Sequence, residues 1–396
     1  MAPGRVPEAS APARRRGDLP GRAPLTVVLA GGGTGGHTAA GLALARALRA
    51  RLGDRLRLAW IGSETGIEAT WVPAAGIPYH AIPTGKLRRQ LAWRNVTDLT
   101  LRVPAGFGRA VALLGRLRPD VVVATGGFVA VPTALAAALR RRPLLVHEQV
   151  VVPGLANRLI ARFADRVAVT FAASVAAFPG RKAVVTGNPI RPELLAGQRD
   201  RGFGRFGLDP ARPLTYLTGG ALGAHRVNRT IGAELAPLLE VTQLVHQSGD
   251  NVYGDLAWLR GEAARLPAAL AARYRVVALV GEELGDLYAA ASLVVGRAGA
   301  GTVTELAALG LPAILIPLPG ARGDEQTANA RVLADAGAAV LLPEADLTAD
   351  RLIREISSLL GDIDRRRTMA ARAHALATPD AAERLVDLVL GLARPT

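Results

Sequence analysis

The sequence contains no cysteine, which excludes disulfide staples, thiolate nucleophiles, cysteine-ligated zinc and iron–sulfur clusters together. Aromatic residues are scarce at 4% and methionine occurs only twice. The apolar half of the composition is therefore alanine, leucine and valine, the usage of a helix-rich α/β protein. Lysine is almost missing as well: of 48 basic residues, all but Lys86 and Lys182 are arginine. No window reaches the ~20 uninterrupted apolar residues of a transmembrane helix, so a soluble or peripheral protein is expected. The first 24 residues, rich in Pro, Ala and Arg, also lack an apolar run. They read as a flexible basic arm, neither a core element nor a secretory signal.

What is present begins with length and charge. A chain of 396 residues has room for two or three domains with real cores. The net charge of +15 suits nucleic acid, a membrane surface or an anionic substrate. No basic helix, RNP-type aromatic strand or zinc knuckle accompanies it, so no nucleic acid partner is expected. The arginine excess, set among so much alanine and glycine, also fits GC-biased coding.

From Leu25 onward short β-rich runs alternate with Ala/Leu-rich helical stretches, the pattern of parallel sheets covered on both faces. The first set of strands is expected at Thr26 to Ala30, Leu56 to Ile61, Val121 to Thr125, Leu144 to His147, Val167 to Thr170 and Val184 to Thr186. The turn-rich Gly187-Asn188-Pro189-Ile190-Arg191-Pro192 stops either kind of element. A second set follows at Leu214 to Thr218, Leu244 to His246, Val276 to Val280, Leu293 to Val295, Ala313 to Ile316 and Ala339 to Leu342. Two similar halves imply two Rossmann-like domains. We place the basic arm at 1–24, the first domain at 25–190, the second at 191–375 and a last segment at 376–396.

Each half opens with a strand, a glycine-rich turn and a helix: LTVVLAGGGTGGHTAAG in the first, LTYLTGGALGAHRVN in the second. Backbone N–H groups at such a helix start can hold a phosphate or diphosphate, although a turn needing only positive φ looks the same. Neither copy carries the Gly-Lys-Ser/Thr of a P-loop, nor G-x-G-x-x-G in register with a downstream acid. His37 closes the first turn at the carboxyl edge of a strand, where α/β sheets bind ligands. It can serve as a base near neutral pH, or merely cap its helix. His147-Glu148-Gln149, followed by Val150 and Asn157, can line the same cleft, or Glu148 can simply pair with a nearby arginine.

In the second half Gly296-Arg297-Ala298-Gly299-Ala300-Gly301-Thr302-Val303-Thr304-Glu305 is the densest signal. Thr302 and Glu305 share a helix face, so one can meet a phosphate while the other holds vicinal ribose hydroxyls; the same pair also suits a helix cap. Arg297 supplies charge to a diphosphate or pairs with an acid. Gln326 and Asn329, after Leu318-Pro319-Gly320, offer hydrogen bonds to sugar hydroxyls or form a solvated first turn.

Taken in order, GGTGGH, HEQ, GNPIRPE, the second glycine turn, HQSG and RAGAGTVTE with Gln326 and Asn329 resemble one family. It is the MurG family of UDP-N-acetylglucosamine:N-acetylmuramyl-(pentapeptide) pyrophosphoryl-undecaprenol N-acetylglucosamine transferases, and the likeness runs from about Leu25 to the C-terminus. The resemblance implies a GT-B fold, two Rossmann-like domains facing each other across a cleft. It implies inverting, metal-independent transfer of N-acetylglucosamine from UDP-N-acetylglucosamine to the lipid-linked muramyl pentapeptide in peptidoglycan synthesis, with no cofactor. The enzyme would be peripheral at the cytoplasmic face of the bacterial membrane.

On this resemblance His37 is the expected base. Gly33, Thr34, His37, Phe128, Glu148, Val150 and Asn157 are expected on the acceptor. Thr34, Gly35, Gly36 and Arg191 are expected on the donor, as are Gly220, Ala221, Arg297, Gly301 and Thr302. Glu305 is expected on the ribose, with Gln326 and Asn329 near the donor sugar. The C-terminal helix is expected to pack back on the first domain. The chain departs from the pattern at Val150, Ala221-Leu222, Phe128, Gly301 and Thr38-Ala39-Ala40. The patch Gly85-Lys86-Leu87-Arg88-Arg89-Gln90-Leu91-Ala92-Trp93-Arg94 suits an anionic membrane surface, or is a basic loop with a buried Trp. Two alternatives stay open: a GT-B transferase using another nucleotide sugar with a glycolipid or secondary-metabolite acceptor, and a non-catalytic nucleotide-sugar binder.

Overall fold

A computed structural model describes residues 24–85, 102–178, 180–320 and 322–393. The basic patch from Lys86 to Arg94 and the arm up to residue 23 lie outside them. The first half forms a seven-stranded sheet from β1 (Leu25–Gly31), β2 (Leu56–Ser63), β3 (Tyr79–Ile82), β4 (Val121–Gly126), β5 (Leu144–Glu148), β6 (Arg166–Val169) and β7 (Ala183–Val185). Its order is β3-β2-β1-β4-β5-β6-β7 and every pairing is parallel. The second half forms a six-stranded sheet from β8 (Leu214–Thr218), β9 (Gln243–Gln247), β10 (Tyr274–Val277), β11 (Leu293–Gly296), β12 (Ala313–Leu315) and β13 (Ala339–Leu341). Its order is β10-β9-β8-β11-β12-β13, again all parallel.

The central strands are continuous apolar runs because helices cover both faces. All six residues of β4, Val-Val-Val-Ala-Thr-Gly, are buried. The expected strands are all present, with ends moved by at most three residues. The largest shift is in β10, which starts at Tyr274. The sequence reading missed β3. It is a four-residue, half-buried edge strand directly after Pro78, so neither alternation nor a buried apolar run marks it.

In each sheet the strand order reverses between the first strand and the fourth of that half, β1 beside β4 and β8 beside β11. Crevices at such switch points are where open α/β sheets bind ligands. Both glycine turns sit there, and the two carboxyl edges border one cleft.

The chain passes between the halves twice at nearly one place. Gly187, at φ +83, lies so close to Thr378 and Ala381 that a side chain there would strike Thr378 Cβ. Only glycine fits that positive φ and that approach. Beyond it the last helix, Ala381–Ala393, buries Leu385, Val386 and Val389 against Val27, Leu29, Leu44 and Trp60 of the first half. Among the described residues no helix is long and apolar enough to cross a membrane.

Candidate active site

The glycine turn after β1 is held from behind. Glu68, fully buried, accepts hydrogen bonds from the Gly33 N–H (3.0 Å), the Ser63 N–H (3.2 Å) and the Ser63 hydroxyl (2.5 Å). The helix Gly35–Leu52 then starts with no side-chain cap on its N-terminus, leaving donors at the positive dipole end for an anion. His37 stands in its first turn against Gly126, whose φ of +109 and missing side chain let the imidazole lie flat on the end of β4.

The ring of His37 is tied by Nδ1 to Gln149 Oε1 at 2.7 Å. Burial holds its pKa below the usual histidine value, against the opposing pull of Gln149, the Thr125 carbonyl and Glu68. Neutral imidazole, the form that can take a proton, therefore prevails at and above neutrality. At the end of β5, Glu148 accepts from the N–H groups of Val150 and Gly154 (3.2 Å each) and from Asn157 Nδ2 (3.0 Å). Burial outweighs those bonds and lifts its carboxyl to about 7.

Across the cleft the helix Ala300–Leu309 follows Gly299, again with no side-chain cap. Glu305 lies one turn in, 3.9 Å from the Arg191 guanidinium, and accepts a 3.1 Å hydrogen bond from the Tyr288 hydroxyl. Burial raises its pKa while Arg191 and Tyr288 pull it down. A carboxyl held by one hydrogen bond and faced by a guanidinium, one turn into a helix that follows a glycine-rich turn, has acceptor capacity left for vicinal hydroxyls.

One cleft of about 1690 Å³ is lined by both sets of residues. From the first half it takes Gly33, Thr34, Gly35, Gly36, His37, Phe128, Glu148, Val150 and Asn157. From the second it takes Arg191, Gly220, Ala221, Gly301, Thr302, Glu305 and Gln326. Two expected donor residues are absent from this lining. Arg297 turns into the scaffold, pairing with Glu344 and donating to the carbonyls of Ile316 and Pro317 at 3.1 Å. It lies just past the end of β11, and the acid partner, not a diphosphate, takes its charge.

Asn329 is the second correction. It is fully buried, accepts from the Val151 N–H (3.0 Å) and donates to the Ala298 carbonyl (3.2 Å). Bonded at each amide end, it fastens the loop after β5 to the second half, and its burial keeps it out of the cleft. Sequence reasoning also passed over Glu68, Tyr288 and the role of Gln149. Glu68 resembles any acidic first-turn residue, and its partner Ser63 is visible only once β2 ends beside the turn.

Among the described residues no cluster of three His, Asp or Glu side chains could hold a metal ion. The glycosyltransferase family 28 N-terminal domain matches residues 27–169 and the family's C-terminal domain matches 214–385. Two curated relatives, from Desulforudis audaxviator and a Nocardioides species, are 38% and 43% identical over 93% of this chain and 99% and 98% of theirs. Each is named UDP-N-acetylglucosamine–N-acetylmuramyl-(pentapeptide) pyrophosphoryl-undecaprenol N-acetylglucosamine transferase. The crystal structure of Acinetobacter baumannii MurG superposes with a TM-score of 0.71 at 30% identity, covering 93% of this chain and all of that one. The chain belongs to the MurG family. Its fold is accordingly the two-domain GT-B arrangement, and its class that of a glycosyltransferase. Within that MurG frame, the cleft between the switch points is the candidate active site.

Proposed function

We propose that this chain transfers N-acetylglucosamine from UDP-N-acetylglucosamine to the undecaprenyl-diphosphate-linked muramyl pentapeptide, inverting the anomeric carbon. The observation that carries this reading is that His37, with one ring nitrogen able to accept a proton, and Glu305, a carboxylate bonded by Tyr288 and paired with Arg191, line one cleft from opposite halves. The names of the relatives supply the substrates.

In this reading the acceptor's 4-hydroxyl oxygen forms the new bond to the anomeric carbon as the bond from that carbon to the diphosphate oxygen breaks. The hydroxyl proton passes to His37 Nε2, and UDP leaves with the bonding electrons. Its growing charge meets the N–H groups at the start of helix Ala300–Leu309 and the guanidinium of Arg191. Arg191 thus takes the part expected of Arg297. Glu305 holds the ribose, and Glu148 shapes the loop from Val150 to Gly154 that faces the acceptor.

A lipid-linked acceptor requires work at a membrane, so we place the protein peripherally on the cytoplasmic face, against anionic lipid. The helix Leu155–Ile160 borders the cleft, and Leu155, Leu159 and Phe163 are exposed there. They alternate with exposed Arg158 and Arg162, a mixture that suits an interfacial surface. Replacing Leu155, Leu159 and Phe163 together by Ser should weaken sedimentation with anionic vesicles; undiminished binding removes this face from the proposal.

The reaction is tested with UDP-N-acetylglucosamine and a short-chain analogue of the lipid-linked muramyl pentapeptide, read by mass spectrometry. Wild type should yield the disaccharide product. If none forms while UDP still binds in a Glu305-dependent manner, the reading fails in favour of another donor or acceptor.

A further inference from the structure

Gln149 follows β5, and its side-chain amide is nearly enclosed. Its Nε2 is surrounded by three acceptors: the Thr125 carbonyl (2.8 Å), His147 Nδ1 (3.0 Å) and the His147 carbonyl (3.1 Å). Two of these are backbone oxygens, which can only accept, so this atom must be the NH₂ group and not the oxygen. The amide oxygen therefore faces His37 Nδ1 at 2.7 Å, and an oxygen there requires the proton to be on Nδ1. His147 fits the same logic: its Nδ1 accepts, so its Nε2 carries hydrogen toward the Gly187 carbonyl at 3.3 Å.

We propose that Gln149 is a positioning residue that fixes the proton of His37 on Nδ1, so that Nε2 is the only ring nitrogen able to accept one. The inference rests on the reading of His37 as the base. The contact matters because neutral histidine in water favours the opposite tautomer, with hydrogen on Nε2. A ring in that form would offer its lone pair to Gln149 and a hydrogen to the cleft, the wrong polarity for deprotonating a hydroxyl. The arrangement runs unbroken from the Gly187 carbonyl through His147 and Gln149 to His37. The segment joining the two halves is thereby linked to the protonation pattern of the base.

The test reads the ring itself and needs no substrate. Full-length protein labelled with ¹⁵N-histidine is recorded by long-range nitrogen–proton NMR, with His37 assigned by its loss in His37→Asn. The wild-type ring should be neutral with its hydrogen on Nδ1. In Gln149→Met, which keeps length but removes both hydrogen-bonding groups and leaves the Thr125 carbonyl as the remaining acceptor beside the ring, the form with hydrogen on Nε2 should gain population at the expense of Nδ1. In transfer assays kcat should fall roughly 100-fold with KM for the donor little changed. Hydrogen on Nε2 in wild type, or on Nδ1 in both proteins, overturns the proposal whether or not the chain transfers N-acetylglucosamine.

Gln149→Glu covers the case in which Gln149→Met does not fold. It keeps an acceptor for His37 Nδ1, and its second oxygen, facing the Thr125 and His147 carbonyls in a buried site, carries a proton as the amide does, so the charge facing the ring, that of Glu68 with His147 the other titratable neighbour, is unchanged. The hydrogen should stay on Nδ1. A hydrogen on Nε2 counts against Gln149 as the controlling contact.

Discussion

After β1 a glycine turn runs into a helix and is backed by Glu68; after β11 a glycine turn runs into a helix and is preceded by Arg297. In the first half the carboxylate is consumed by the turn and an imidazole is left to the cleft. In the second the guanidinium is consumed by the scaffold and a carboxylate, Glu305, is left to the cleft. Each turn thus has one charged side chain tied up in structure, Glu68 on the turn's own Gly33 N–H and Arg297 on the carbonyls after β12, and presents a different side chain to the cleft. A charged residue beside a glycine-rich turn is therefore as apt to build the turn as to use it. What separates the two roles is whether a buried partner lies within reach.

The largest expected effect is at the group left free in the first half. His37→Ala should lower kcat by roughly 10² to 10⁴ with UDP affinity unchanged, as checked by transfer assay alongside calorimetry. A matched loss of UDP binding would make His37 a donor contact and erase the contrast between the halves.

Next comes the residue consumed in the second half. Arg297→Ala strands Glu344, only 9% exposed at its side chain, without its cation. Removing one partner of a buried pair costs about 3–5 kcal/mol, which denaturant melts should show as a lowered midpoint. UDP affinity of the folded fraction should hold, and Arg297→Ala with Glu344→Ala should recover part of the stability. If stability is kept and UDP binding falls instead, Arg297 returns to the donor site.

These two cases show what the sequence could and could not disclose. The strand positions, the two halves and the glycine turns at strand ends were legible from periodicity, because strand ends and helix starts are local properties. That His37, Glu148, Thr302 and Glu305 line one cleft followed from the order of the motifs and the family resemblance, while the strand order was not read from the sequence. Arg297 and Asn329 were misread because their partners, Glu344 and Val151, are distant in sequence. No spacing rule forecasts which long-range partner claims a polar side chain. Tyr288 was missed for the same reason, its hydroxyl meeting Glu305 only once the helix Leu284–Ala290 packs beside β8.

Glu148 sharpens the comparison from a third side, since it both lines the cleft and holds its own loop. Its folded pKa, about 7, lies above the 4.5 of the unfolded chain. Its contribution to stability is therefore complete below about pH 4.5 and is lost as the pH rises through 7. By linkage that loss is about 3 kcal/mol. Relative to wild type, Glu148→Gln should gain stability from pH 5 to pH 8 by that order. A difference independent of pH would mean that the loop's N–H groups outweigh burial.

The smallest effect is expected at Glu305, because the cleft reaches it and water can replace part of what it loses. Glu305→Gln keeps an oxygen for the Tyr288 hydroxyl and for one ribose hydroxyl but removes the charge that Arg191 faces at 3.9 Å. A hydrogen bond to a charged group contributes about 1.5–3 kcal/mol against roughly 1 for a neutral one, so UDP affinity should fall about tenfold, with kcat at saturating donor nearly unchanged. Glu305→Ala should cost more, since it also leaves the buried Tyr288 hydroxyl without its acceptor. An equal loss in both variants would mean that the charge alone carries the contact. No loss in either would leave the uncapped helix start as the main UDP-binding feature, and the second half would then present backbone, not a side chain, to its ligand.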